Sequence, residues 1–88
     1  MKFKVISVRD RVADGFANPG FYVSAGAAIR SFSDEVQRVP EPGRPNPLYD
    51  HPADFDLYLL GEYDDETGSF ETHAPRQIAI GNDYARVK

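Results

Sequence analysis

The chain contains no cysteine, one methionine and two histidines among its 88 residues. Without cysteine there is no disulfide framework, no thiolate nucleophile and no thiolate zinc site, so stability rests on packing or on a partner subunit. No apolar run approaches the about 18 residues needed to span a bilayer. Met1-Lys2-Phe3-Lys4 lacks the apolar core and small-residue cleavage site of a signal peptide. The sequence therefore predicts a soluble protein with no membrane partner. The residues present are 41% hydrophobic, 12% aromatic and 27% charged, the composition of a folded domain and not of a disordered or fibrous chain. One domain over residues 1–88 is expected, and a chain this short buries only about 60% of its unfolded surface.

The net charge of -4 conceals an asymmetry. Residues 1–44 carry seven bases against five acids, a balance of +2, while residues 45–88 carry three bases against nine acids, a balance of -6. A uniformly acidic surface repels phosphate, whereas a segregated one can present a basic face, so nucleic-acid binding is weakened but not excluded.

Residues 2–9 (KFKVISVR) have the β-branched and aromatic content of a strand, and residues 10–20 (DRVADGFANPG) carry the Gly, Pro, Asn and Asp of a loop. Phe21 to Val23 form a short β-prone stretch. Ser24 then suits a helix N-cap. Ala25, Ile29, Phe32, Val36 and Val39 recur in steps of four and three, which predicts one apolar stripe of a helix that Pro40 ends. Arg30, Asp34 and Arg38 follow at i, i+4 and i+8, so both arginines are expected to pair with Asp34. Residues 40–52 hold five of the seven prolines and read as a long, stiffened loop.

Residues 55–63 (FDLYLLGEY) alternate as a half-buried strand, with Phe55, Leu57, Leu59 and Tyr63 expected on one face and Asp56, Tyr58, Leu60 and Glu62 on the other. The acidic stretch 64–68, ending in Gly68, predicts a hairpin turn onto a strand from Ser69 to His73. Pro75 is expected to break that strand. Gln77 to Ile80 then reads as another, with Ile78 and Ile80 inward. The sum is an α+β fold, β-α-β-β with a possible extra strand, in which one helix packs on a small antiparallel sheet.

Chemistry is sparsely signalled. His51 with Asp50 and Asp54 lacks the spacing a metal site demands, and the acidic turn lacks the ligand positions of a calcium loop. Neither His51 nor His73 sits in a recognisable frame for a serine nucleophile, and no glycine-rich phosphate loop is present. No catalytic residue, metal or cofactor is expected, and an enzyme is the least favoured class.

Single-stranded nucleic acid needs cations along a groove and aromatic faces for stacking. The candidate cations are Lys2, Lys4, Arg9, Arg11, Arg30 and Arg38. Tyr49, in the proline-rich segment, and Tyr58, on the polar face of its strand, are the preferred stacking candidates. Phe16, Phe21 and Tyr22 are available too, although phenylalanines in so small a domain more often belong to the core. An exposed tyrosine equally suits a protein interface.

A family resemblance is carried by Ala28-Ile29-Arg30-Ser31-Phe32 with Asp34-Glu35-Val36, then His51-Pro52, Asp54-Phe55, Leu57-Tyr58, Leu60-Gly61, and Tyr63-Asp64-Asp65 with Gly68. In this order and spacing the chain resembles the small nonstructural protein of gokushoviruses, single-stranded DNA phages of the Microviridae. That family is usually described as a DNA-binding or replication protein and is compared with the protein C of other microviruses, which favours single-strand genome synthesis. The resemblance implies a protein of the host bacterial cytoplasm that acts in viral DNA replication and is absent from the virion. It implies no catalytic residue.

Two functions are therefore expected in competition. One is a homodimeric single-stranded DNA-binding module, which requires the basic side chains to gather on one face. The other is a protein-interaction module for a replication initiator or host replication factor, acting through the acidic second half and Tyr58 without touching DNA. A homodimer fits either, because a small domain gains core by burying an edge strand or helix face against its copy. If DNA is bound through the helix, Arg30→Ala and Arg38→Ala should each flatten the salt dependence; otherwise the surface lies elsewhere, at the N-terminal strand.

Overall fold

Ser24 keeps an extended backbone, and its hydroxyl accepts the Ala27 N–H at 3.1 Å, so helix α1 (Ala25–Gln37) starts where the capping residue predicts. In the computed structural model, which describes residues 1–86, α1 is preceded by three strands, β1 (Lys2–Asp10), β2 (Gly15–Phe16) and β3 (Gly20–Tyr22). After it come a one-turn helix α2 (Pro47–Asp50), a 3-10 turn (Pro52–Asp54), the strands β4 (Phe55–Asp64) and β5 (Ser69–Ile80), and a second 3-10 turn (Gly81–Tyr84). All strand pairs are antiparallel, in the order β2-β1-β4-β5, with β3 also on β1. The fold is α+β, one main helix on an antiparallel sheet, with two short strands between β1 and α1.

The core lies between α1 and one face of the sheet. Ala28, Phe32 and Val36 from the helix meet Ile6 of β1, Phe55, Leu57 and Leu59 of β4, and Ala79 of β5. Each large side chain fully buried there contributes about 1.5–3 kcal/mol. The buried stripe of α1 is centred on Ala28, Phe32 and Val36, with Ile29 beside it, and it does not reach Val39, which is 57% exposed. The reason is Asn46. Its side-chain amide donates to the carbonyls of Glu35 (2.7 Å) and Arg38 (2.8 Å), closing the helix two residues earlier than the proline alone would. The same side chain accepts the Leu48 N–H at 3.2 Å and so caps α2.

Four further expectations are corrected. The segment 10–20 is not all loop, since Gly15–Phe16 pairs with Arg9 and Asp10 and β3 begins at Gly20. The proline-rich segment is structured, with Pro47 at the start of α2, where a missing N–H costs nothing. Pro75 does not end a strand; β5 runs through it, because between the pairs Leu59–Arg76 and Gly61–Thr72 β5 spends three residues (73–75) against one on β4 (Leu60), and an edge bulge tolerates proline. A further one-residue bulge at Ile78 turns Ala79 into the core and leaves Ile80 outward and 38% exposed, so only Ile78 of the two isoleucines packs against the core.

The most consequential irregularity is on β4. Between Val5 and Ile6 the β1 pairing jumps from Gly61 to Leu59, so Leu60 is an extra residue. Side chains alternate strictly along a strand, so one inserted residue exchanges the two faces beyond it. Phe55, Leu57 and Leu59 face the helix as expected, but Tyr63 does not join them. It lies opposite Phe3 on the reverse face, while Glu62 turns to the helix side opposite Lys4.

Candidate functional site

The face of the sheet turned away from α1 carries aromatic side chains that the core does not use. On β1 this face alternates with Ile6 and Val8, so it presents Phe3, Val5, Ser7 and Arg9; pairing adds Phe16 beside Arg9, Phe21 beside Val5, Tyr58 beside Ser7 and Tyr63 beside Phe3. Phe70 of β5 lies beside Tyr63. Two clusters result. Near the turn end of β1, the Phe16 and Tyr58 rings meet edge-on with centroids 5.4 Å apart, and the Arg9 guanidinium lies 6.0 Å from the Phe16 centroid. Towards the β4–β5 turn, Tyr63 contacts Phe70 at 4.7 Å and Phe21 at 5.5 Å. Phe16, Phe21 and Phe70 are 45%, 52% and 55% exposed. Among the described residues this is the largest grouping of exposed aromatics.

The six expected cations do not share this face. Arg9 belongs to it, with its guanidinium 2.7 Å from Asp14; Asp14 and Tyr58 both favour its charged form. Arg11, just past β1, places Nε 3.3 Å from Asp56, a carboxylate buried to 3% exposure beneath this end of the face, and donates to the Ala53 carbonyl. Lys2 and Lys4 lie on the opposite, helix-side face of β1, where Lys4 pairs with Glu62 at 2.8 Å. Arg30 is exposed on the helix beside Asp34, the two lining one shallow depression. Arg38 is the residue that caps α1, and it pairs with Glu35 at 2.7 Å, not with Asp34, because its extended backbone carries it off the helical i+4 position. A single basic groove built from these six is thus corrected by the geometry.

The aromatic candidates divide similarly. Tyr58 sits on the open face. Tyr49 is half-buried on α2, away from it, and Tyr22 packs against the core. Phe16 and Phe21 are surface rings, not core. Tyr63 and Phe70 were not legible as site residues, since the Leu60 bulge is what turns Tyr63 outward; the only sequence signal is the Leu59-Leu60-Gly61 interruption of an otherwise regular alternation. Among the described residues no group of three or more His, Asp or Glu could hold a metal ion, and no helix is long and apolar enough to cross a membrane.

Neither the curated proteins nor the solved structures contain a match to this chain. The profile of a family described as Phage ORF5 protein does match, over residues 3–84, a span that takes in every strand, the helix and the whole aromatic face. By that match the chain is a member of the Phage ORF5 protein family, a family of phage proteins.

Proposed function

We propose that this protein is a nonstructural component of microvirus-like genome replication that binds single-stranded DNA on the open face of its sheet. The observation that carries the proposal is the run of rings, exposed Phe16 beside half-buried Tyr58 at one end and exposed Phe21 and Phe70 beside half-buried Tyr63 at the other, on a face that no helix covers. Every base has a face to stack, so such a surface binds without regard to sequence, and each stacked base contributes about 1–3 kcal/mol. Binding of this kind favours single strands over duplex, whose bases are already stacked. The protein then acts in the host cytoplasm and has no need to enter the virion.

The cations do not gather on one face, so the proposed binding cannot rest on a basic surface: only Arg9 among them lies beside the rings, stacking dominates and few phosphates are neutralised. The expected salt slope is shallow, each neutralised phosphate adding about -0.7 in log affinity against log salt. Fluorescence anisotropy of a labelled single strand, with a duplex of the same sequence beside it, tests the proposal at low and physiological salt. Saturable binding to the single strand alone is expected; no binding at low salt overturns it.

A second reading is favoured by the pairing of Arg9 with Asp14 and of Arg11 with Asp56, which leaves little free positive charge beside the rings of an acidic protein. The same face then docks a replication initiator or a host replication factor, aromatic residues being enriched in protein interfaces. Recovery of such a protein on tagged bait from infected cells, lost in Phe70→Ala, is its expected signature.

A further inference from the structure

Arg9, the cation beside the stacking rings, is held from three sides. Its guanidinium carbon lies 6.0 Å from the Phe16 centroid, Asp14 Oδ1 accepts its Nη2–H at 2.7 Å, and Asp14 first and the Tyr58 hydroxyl second favour its charged form. Phe16 and Tyr58 keep the group at the rings. Asp14 takes up part of its hydrogen-bonding edge.

The turn after β1 delivers that carboxylate. Asp10 Oδ1 accepts the N–H groups of Val12 and Ala13 at 3.0 and 3.1 Å, and Asp14 adopts the left-handed conformation, φ +56, before Gly15 pairs back onto Asp10. Glycine is the default residue in that conformation, and Asn and Asp are the side chains that visit it most readily. The backbone therefore accepts residue 14 without a charge, and the acid is an addition to the turn.

The two arginines at this end differ in what they leave behind. Arg11 contacts Asp56, which is 3% exposed and whose Oδ1 is buried with no hydrogen-bond donor, so withdrawing Arg11 strands a buried charge at high cost. The Asp14 side chain is 81% exposed, and water solvates it as soon as Arg9 leaves. Of these two pairs only Arg9–Asp14 is free to exchange.

We infer, resting on the stacking role proposed above, that Asp14 is a built-in competitor for phosphate: binding exchanges its carboxylate on Arg9 for a phosphodiester of the strand whose bases stack on Phe16 and Tyr58. A phosphodiester fits the vacated edge because it carries one negative charge and offers two free oxygens to the guanidinium fork, as a carboxylate does. It also lies beside the stacked bases in the same strand. Salt weakens the pair that breaks as well as the pair that forms, so the salt slope is flatter than a free arginine would give. Affinity is held down, and the strand is readily released.

The purified full chain and its variants are titrated with one labelled single strand over a range of salt. Asp14→Asn keeps the left-handed turn and removes the charge. It should bind about threefold more tightly at low salt, the scale of one exposed ion pair, with a salt slope steeper by up to about 0.7. Asp34→Asn makes the same change in net charge on the helix, beside Arg30, and should gain less. In an Arg9→Gln background, Asp14→Asn should give no gain. Equal gains from the two Asp→Asn variants, or a gain that survives Arg9→Gln, would overturn the inference. Binding by the parent that Asp14→Asn leaves unchanged overturns it too while the stacking role stands; no binding by any of these proteins overturns both.

Discussion

Gly61 of β4 lies directly against the backbone of Glu71 on β5: a Cβ placed on Gly61 would sit 2.2 Å from the Glu71 carbonyl oxygen and 3.0 Å from the Thr72 Cα. Those are backbone atoms of a paired strand, so they cannot swing aside. Gly61 follows the Leu60 bulge and sits where the β5 register shifts by two, and the close approach lets both irregularities occupy one level of the sheet. Gly61→Ala should destabilise the domain by about 2–3 kcal/mol, the upper part of the range for overpacking. Urea denaturation followed by far-ultraviolet circular dichroism checks this, and an unchanged midpoint would contradict the geometry.

Asn46 offers a sharper test because its two ends do different work. It is 1% exposed; its amide nitrogen serves two carbonyls at the end of α1 while its oxygen serves α2. Asn46→Asp keeps the oxygen and the volume but replaces both donors with a carboxylate aimed at carbonyl oxygens. A loss of about 2–4 kcal/mol is expected, at least as large as that of Asn46→Ala, since buried groups on both sides are left unpaired. Thermal melts of the two variants decide the order.

On the open face, Tyr58→Ala and Phe70→Ala should each weaken single-strand binding by about tenfold, one stacked base apiece. Arg30→Ala, on the far side of the molecule, should change neither affinity nor salt slope. The same titration on all three variants tests the placement of the surface, and a drop in Arg30→Ala alone would move it to the helix.

Acid should unfold the protein partly through two carboxylates held below their ordinary value of 4.5, Glu62 chiefly by the hydrogen bond from Lys4 and Glu35 chiefly by that from Arg38. A depressed folded pKa means that the stabilisation is present above 4.5 and is lost as pH falls through the lower folded value. Both pairs are partly exposed, so each contribution is small. Lys4→Met should remove the Glu62 share, so its urea midpoint should fall less steeply than that of the parent between about pH 5 and pH 3. Parallel curves would show that the Lys4–Glu62 pair contributes nothing.

The helix, the strand at 55–63 and the hairpin at Gly68 are legible in the sequence because each depends on neighbours: a capping serine, a regular period, a glycine with φ +72. The misread positions depend on partners distant in the chain. Tyr63 and Ile80 are assigned to the wrong face because period-two alternation holds only until a bulge, and a bulge is set by the pairing strand. Arg38 is assigned to Asp34 because helical spacing is assumed past the point where Asn46, eight residues on, ends the helix. The aromatic face escaped for a related reason: Phe21 and Phe70 look like core residues until the sheet is seen to have only one helix to cover two faces.

Leu60 therefore does more than lengthen a strand. Relative to β1, the same strand paired without the bulge, with Leu60 opposite Val5, would return Tyr63 to the helix side and present Glu62 outward, exchanging an aromatic surface for an acidic one while every side chain kept its identity. What the distal half of this sheet shows to its surroundings is therefore set by its register with β1 and not by the kinds of residue it contains.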